Sequence, residues 1–269
     1  MTELFPDMFS PRNALTTLEG LRVNSWNFAG GGNPPSRHYA MWANNMRAQL
    51  KGTLTRPATA SLFDGPLNLA ALLGGPSELV HANAAASDIC ERIGEIADQL
   101  KKMMDQTERS QLLPLVIDTN LILEYQPIGS IDWTVFTGEP VRLIVPLRVF
   151  EELEEARYSN SKRKSQTARD ELPRLVAMVE HDPGQPAMIN GREDATIELF
   201  DMRHEGLRPS WADDEILDFY RTLSQFLPRA RLVTSDGPLL ARARYRGFDV
   251  QRGPENQRRK SQGAPESDG

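Results

Sequence analysis

Four acidic residues stand where a folded chain could gather carboxylates: Asp118, Glu152, Asp213 and Asp236. Asp118 ends the apolar run 112–117 and precedes Thr119-Asn120. Asp236 follows the run 231–235 and precedes Gly237-Pro238. Glu152 falls one turn into the helical stretch after the apolar run 141–145, and Asp213, with Asp214 beside it, opens the stretch after Trp211. Each has an ordinary structural role open to it. Asp118 suits a helix N-cap, Asp236 a turn, and the other acids the first turn of a helix, where the dipole favours negative charge. Their joint placement points further. Ligands of open α/β sheets bind outside the carboxyl ends of the strands, and Asp118 and Asp236 sit at two such ends. Glu152 begins a helix at the same edge, whereas Asp213 follows a loop. Four carboxylates in one cleft repel unless protonated, paired with basic groups or bound to metal ions. An all-oxygen donor set suits Mg²⁺ or Mn²⁺.

The elements that must position these acids alternate in type. Apolar runs at 112–117, 141–145, 195–200, 231–235 and 248–250 predict strands. Helical patterns at 119–125, 147–157, 165–181, 211–226 and 238–246 lie between them. Such alternation predicts an α/β fold, a parallel sheet with helices on both faces, over residues 111–251. Residues 1–110 form a separate extension, irregular and then helical. Gly30, Gly31, Gly32, Asn33, Pro34 and Pro35 break the chain, and a helix is expected from Ser36 with Tyr39, Trp42, Met46 and Leu50 on a core-facing side. A longer helix is expected over 87–108, with Ile89, Ile93, Ile96, Leu100 and Met103 in a stripe. That stripe is expected to cover the second domain of the same chain. The alternative use is a homodimer through the N-terminal helices. Residues 252–269 hold no large apolar side chain and are expected to be disordered.

The stretches LPLVIDTNLIL at 113–123, LIVPLRVFEELEEAR at 143–157, ADDEIL at 212–217 and LVTSDGPLLARAR at 232–244 resemble the PIN family of nucleases. The resemblance covers about residues 112–251. It implies a PIN-like sheet and a metal-dependent nuclease, a ribonuclease of the hydrolase class using magnesium or manganese. It assigns Asp118, Glu152, Asp213 and Asp236 to the acidic, metal-binding site. Glu152 is preferred to Glu151 because it precedes Leu153, and Asp213 to Asp214 because it lies three residues before Ile216; Asp214 stays open as a participant. Asn120 and Thr234 match supporting polar positions. Toxin-type members are little more than the domain itself, so the extension of about 110 residues and the long segment 182–210 depart from that pattern.

Arg157, Lys162, Arg163, Lys164 and Arg169 occupy a stretch with no acids just after Glu152. It is either a solvated surface or a clamp for a nucleic-acid backbone. The net charge of -6 excludes a chain that coats nucleic acid with its whole surface, so a polyanion would be met locally or through bound cations. The single cysteine, Cys90, excludes an internal disulfide and a cysteine zinc site. No His-x-x-x-His, Gly-Lys-Ser/Thr or Gly-x-Ser-x-Gly motif is present. With no signal-like start and no apolar run of membrane-spanning length, a cytoplasmic protein without membrane contact is expected. The expected activity is hydrolysis of phosphodiester bonds in RNA. The alternatives are a PIN-like module that binds or assembles without cutting, and a DNA-directed nuclease or toxin.

Overall fold

The computed structural model describes residues 5–6, 9–30, 36–73, 78–180, 186–200 and 211–259. The described residues divide into two compact units, one up to residue 109 and one from residue 110 onward.

The first unit is helical: α1 (Pro11–Gly30), α2 (Ser36–Leu50), α3 (Arg56–Phe63), α4 (Pro66–Leu73) and α5 (Glu78–Glu108). Three of these replace the expected irregular structure. In α1, Ala14, Leu18, Leu21 and Ser25 turn inward at helical spacing, and the hydroxyl of Ser25 is satisfied by the Leu21 carbonyl. Two prolines sit where helices begin, Pro57 in the first turn of α3 behind the Thr55 cap and Pro66 at the start of α4. Tyr39, Trp42, Met46 and Leu50 are buried, as their spacing predicts. The stripe of α5 is used differently from expectation. Ile89, Ile93 and Leu100 are buried together with Ala82, Ala85, Ala86 and Ala97, and α5 packs on α1 and α4 of its own unit. The alanines let the helices approach closely, which a pattern of large apolar residues alone does not reveal.

The second unit is built on a six-stranded sheet in the order β3-β4-β2-β1-β5-β6. Its elements are β1 (Leu113–Ile117), α6 (Thr119–Glu124), α7 (Trp133–Thr137), β2 (Val141–Pro146), α8 (Leu147–Ala156), α9 (Lys162–Val179), β3 (Ala187–Ile189), β4 (Arg192–Phe200), α10 (Ala212–Phe226), β5 (Arg231–Thr234), α11 (Gly237–Tyr245) and β6 (Val250–Arg252). All neighbours are parallel except β3, which pairs antiparallel with β4. That edge strand was not expected. Asn190 and Gly191, both with left-handed φ, form the two-residue hairpin that creates it. Every residue of β1 and β2 is buried, which explains their unbroken apolar runs.

One exception lies inside β2. Arg142 is completely buried and pairs with the equally buried Glu198 of β4. The expected tail also begins later than residue 252. Residues 252–259 are held by polar contacts rather than by apolar burial. The Arg259 amide donates to the Glu124 carbonyl at 2.8 Å, its guanidinium meets buried Glu171 at 2.9 Å, and Gln126 donates to the Gln257 carbonyl at 3.0 Å. Gly253 lies so close to α6 that a Cβ there would come within 2.6 Å of Leu121 and 2.7 Å of Tyr125. Residues 260–269 fall outside the described residues. Among the described residues no helix is long and apolar enough to cross a membrane.

Candidate active site

The sheet order reverses at β1. The chain runs from β1 to β2 and β4 on one side, then returns to lay β5 on the other. Such a switch point leaves a crevice at the carboxyl ends of the two strands. Ile117 is in register with Val233, so the next residues, Asp118 and Thr234, leave the sheet side by side.

Asp118 caps α6. Its Oδ1 accepts the Leu121 amide at 2.8 Å, and its Oδ2 accepts the hydroxyl of buried Thr234. The same Thr234 oxygen accepts the Asp236 amide at 2.9 Å, so one hydroxyl ties the two strand ends together. Asp236 caps α11 through Oδ1, which accepts the Leu239 amide at 2.9 Å. Its Oδ2 faces the Asn120 amide group at 3.4 Å, a long contact. The capping roles open to both aspartates are thus real. Each cap uses one carboxylate oxygen and leaves the other facing the polar residues that surround the crevice.

Glu152 lies in the second turn of α8, where Val149 and Leu153 turn to the core. Its Oε2 accepts the Thr119 hydroxyl, and its Oε1 lies 3.8 Å from Arg148 Nε. Burial raises its pKa. The Thr119 hydrogen bond and Arg148 oppose that shift, while Asp213 adds to it. Asp118 is moved further, up to about 7. Burial is the main cause, partly offset by the Thr234 and Leu121 hydrogen bonds and reinforced by the charges of Asp236 and Glu152.

Asp118, Asp236 and Glu152 are therefore electrostatic neighbours, and Asp213 touches the group through Glu152. Asp213 and Asp214 open α10, but their carboxylates are engaged by arginines. Arg242 contacts Asp213 and lies 3.3 Å from Asp214, and Arg246 lies 3.0 Å from Asp214. Among the described residues, no three acids, histidines or cysteines draw together tightly enough to share one ion. Asp118 and Asp236 differ from the other acids: among the described residues neither has a basic side chain within 4.0 Å. Glu151 meets Arg148 at 3.2 Å.

The expected basic residues divide. Arg157 pairs with Glu154 at 2.7 Å, and Arg169 donates to the Arg157 carbonyl at 3.3 Å. Arg163 donates to the Arg259 carbonyl at 3.2 Å. Lys162 and Lys164 stand exposed in the first turn of α9, with no ion pair among the described residues. The stretch thus runs from the C-cap of α8 at Arg157 through a short connection into the first half of α9.

Three positions escaped sequence reasoning. Thr119 orients Glu152; it was visible only as the middle of Asp-Thr-Asn. Arg148 sits four residues before Glu152, a helical spacing that could have been noticed. Arg242 had no local signal, because its partners lie 28 and 29 residues away.

The sequence matches the PIN domain family over residues 115–253, more than half of the chain. The chain belongs to the PIN domain family. All four acids fall inside the matched span, and the helical unit lies before it. The PIN domain is a nuclease-type fold, often metal-dependent. A comparison with curated proteins found no match. Solved structures that match include a domain of a functionally unknown protein from Methanocaldococcus jannaschii DSM 2661. It is 15% identical over 56% of this chain and 95% of its own, and its TM-score of 0.35 bears on neither activity nor site.

The residues fit a divalent cation by one test. Asp118 is fully buried at a strand end, next to two carboxylates, and has no counter-charge among the described residues. A hard cation would reverse the penalty that burial and the neighbours impose. The oxygen donors that would hold it are Asp118 with its carboxylate neighbours Asp236 and Glu152, which here lie near one another without closing into one three-acid group.

Proposed function

We propose that this PIN domain hydrolyses phosphodiester bonds in RNA with Mg²⁺ or Mn²⁺ as cofactor. The observation that carries this reading is the uncompensated, buried carboxylate of Asp118 beside Asp236 and Glu152 at the switch point of the sheet. A bound divalent ion activates water and stabilises charge on the phosphate. The protein's part is positional. Thr234 fixes Asp118 and Asp236 relative to each other, Thr119 aims Glu152, and Asp213 acts on Glu152 through its charge. Asn120 faces the free oxygen of Asp236. Lys162, Arg163 and Lys164 cluster at the electropositive end of α9, where the dipole disfavours cations. That arrangement suits an anionic partner, and with Arg157 and Arg169 it forms the surface proposed to hold the nucleic-acid backbone. The proposed setting is the cytoplasm.

One observation favours a second reading, a module that binds nucleic acid without cutting it: the carboxylates are neighbours but do not close into one ligand sphere. The two readings separate in a cleavage assay on labelled RNA and DNA, single- and double-stranded, with Mg²⁺ or Mn²⁺ and an Asp118→Asn control. RNA should be cut by the parent and left intact by the variant. Equal cutting by both in Mn²⁺ would refute the site. Binding without turnover favours the second reading, and cutting of DNA alone redirects the substrate.

A further inference from the structure

The surface proposed to hold a nucleic-acid backbone carries one side chain that a backbone clamp does not need. Tyr158, in the connection between α8 and α9, is 76% exposed. Among the described residues its side chain makes no ring contact and no hydrogen bond. The backbone beneath it is nevertheless fixed. The Tyr158 amide donates to the Glu155 carbonyl at 3.1 Å, and the Ser159 amide to the Ala156 carbonyl at 3.0 Å. The Arg157 carbonyl accepts twice from α9, from the Ser165 hydroxyl at 2.6 Å and from Arg169 at 3.3 Å. The Ser161 amide donates to Ser159 Oγ at 3.2 Å, and Ser161 in turn caps α9. The turn 157–161 is thus tied to both helices while the ring stands in solvent. A group held in place before binding loses less freedom when it binds.

The charge around this turn is one-sided. Residues 157–169 include Arg157, Lys162, Arg163, Lys164 and Arg169 and no acid. Arg157 is paired with Glu154. Lys162, Arg163, Lys164 and Arg169 have no acidic side chain within 4.0 Å among the described residues; both arginines donate to backbone carbonyls instead. Phosphates satisfy such cations in any form of nucleic acid. The ring discriminates between forms. The base faces of a duplex are stacked inside it, so a ring on a turn meets only sugar and phosphate there. In a single strand the base faces are free to stack on an aromatic side chain.

We infer that Tyr158 is a base-stacking platform, and that with Lys162, Arg163, Lys164 and Arg169 it makes this turn a docking surface for single-stranded nucleic acid. The inference rests on the nucleic-acid contact proposed above and is independent of any metal ion. The cations set the strength of the contact and its dependence on salt, and the ring sets the preference for unpaired bases.

The test is fluorescence anisotropy of the full chain in EDTA with a labelled, unstructured oligonucleotide, made as RNA and as DNA, alone or annealed to its complement. Tyr158→Ala should weaken single-strand binding about 5- to 150-fold, and Tyr158→Phe should keep it within about threefold of the parent. Duplex binding should change by less than about twofold in both variants, because phosphate contacts carry it. The double change Lys162→Ala with Lys164→Ala should weaken both forms. It should also reduce the salt slope of single-strand binding by about 1.4, the loss of two phosphate contacts. Urea unfolding checks that each variant is as stable as the parent. No single-strand loss in Tyr158→Ala, an equal loss on both forms, or polyglutamate competing as well as unlabelled strand would each overturn the inference. A parent that binds neither form sinks the nucleic-acid contact and this inference together. Binding that needs Lys162 and Lys164 but not Tyr158 sinks the inference and leaves that contact standing.

Discussion

Replacing Asp118 by Asn should stabilise the metal-free protein at alkaline pH, although it removes a carboxylate that caps a helix. The expectation follows from the burial of that group. A carboxyl carried from its ordinary 3.8 to about 7 in the folded chain binds a proton that the unfolded chain has already released. Between those values the folded state holds more protons, so stability falls as pH rises. Fully ionised, the group costs about 4 kcal/mol relative to the unfolded chain. Relaxation around the ion brings the expected gain for Asp118→Asn near pH 8 to about 2–4 kcal/mol. Asn keeps an oxygen for the Leu121 amide, and the Thr234 hydroxyl can turn to accept from its amide group. The assay is urea unfolding in EDTA at pH 5 and pH 8, followed by hydrogen exchange of the β1 and β5 amides so that the sheet is observed on its own. The parent should weaken from pH 5 to pH 8, and the variant should change far less. Mn²⁺ at about 100 times its dissociation constant should return about 2.7 kcal/mol to the parent at pH 8 and little to the variant. A variant less stable than the parent at pH 8 in EDTA, or one with the same pH dependence, would refute the reasoning.

Thr234→Val should strand the Asp236 amide and remove the hydroxyl from Asp118, lowering stability by about 1–3 kcal/mol. Under the metal reading it should also weaken Mn²⁺ binding about 10–100-fold, read by titrating the full chain and counting free Mn²⁺ by electron paramagnetic resonance. Arg142→Met should cost about 3–5 kcal/mol in urea unfolding because it leaves buried Glu198 charged without its partner in β2. The double change Arg142→Met with Glu198→Leu should recover most of that loss.

The positions of Asp118 and Asp236 were legible because short apolar strands ending in Asp, followed by helix-starting residues, leave few choices of geometry. The parallel core of the sheet was legible for the same reason: strands buried on both faces write continuous apolar runs. What escaped was written in partners far apart along the chain. Arg142 interrupts an apolar run and makes sense only beside Glu198. Asp213 reads as a free first-turn acid until Arg242 is placed beside it. The strand β3 is too short for periodicity to detect, and only Asn190-Gly191 hints at its hairpin. In the helical unit, prolines that normally break helices open them instead, and alanines replace the large apolar residues by which an inward face is usually recognised.

The contact between Asp118 and Thr234 spans 116 residues. On a ribosome adding about 5–20 residues per second, Asp118 is made roughly 6 s or more before the hydroxyl that steadies it. Strand β2, helices α8 and α9, the β3–β4 hairpin and α10 are all synthesised in that interval. During it Asp236 and the Thr234 hydroxyl do not yet exist, so Asp118 is without both. The charge of Asp236 joins that of Asp118 only when β5 docks against β1, after the neighbouring β2 has been made to support it. Assembly of the full acid cluster thus reports the docking of β5 on β1, one strand short of the finished sheet, and a chain arrested before β5 has no second strand end on which to build the site.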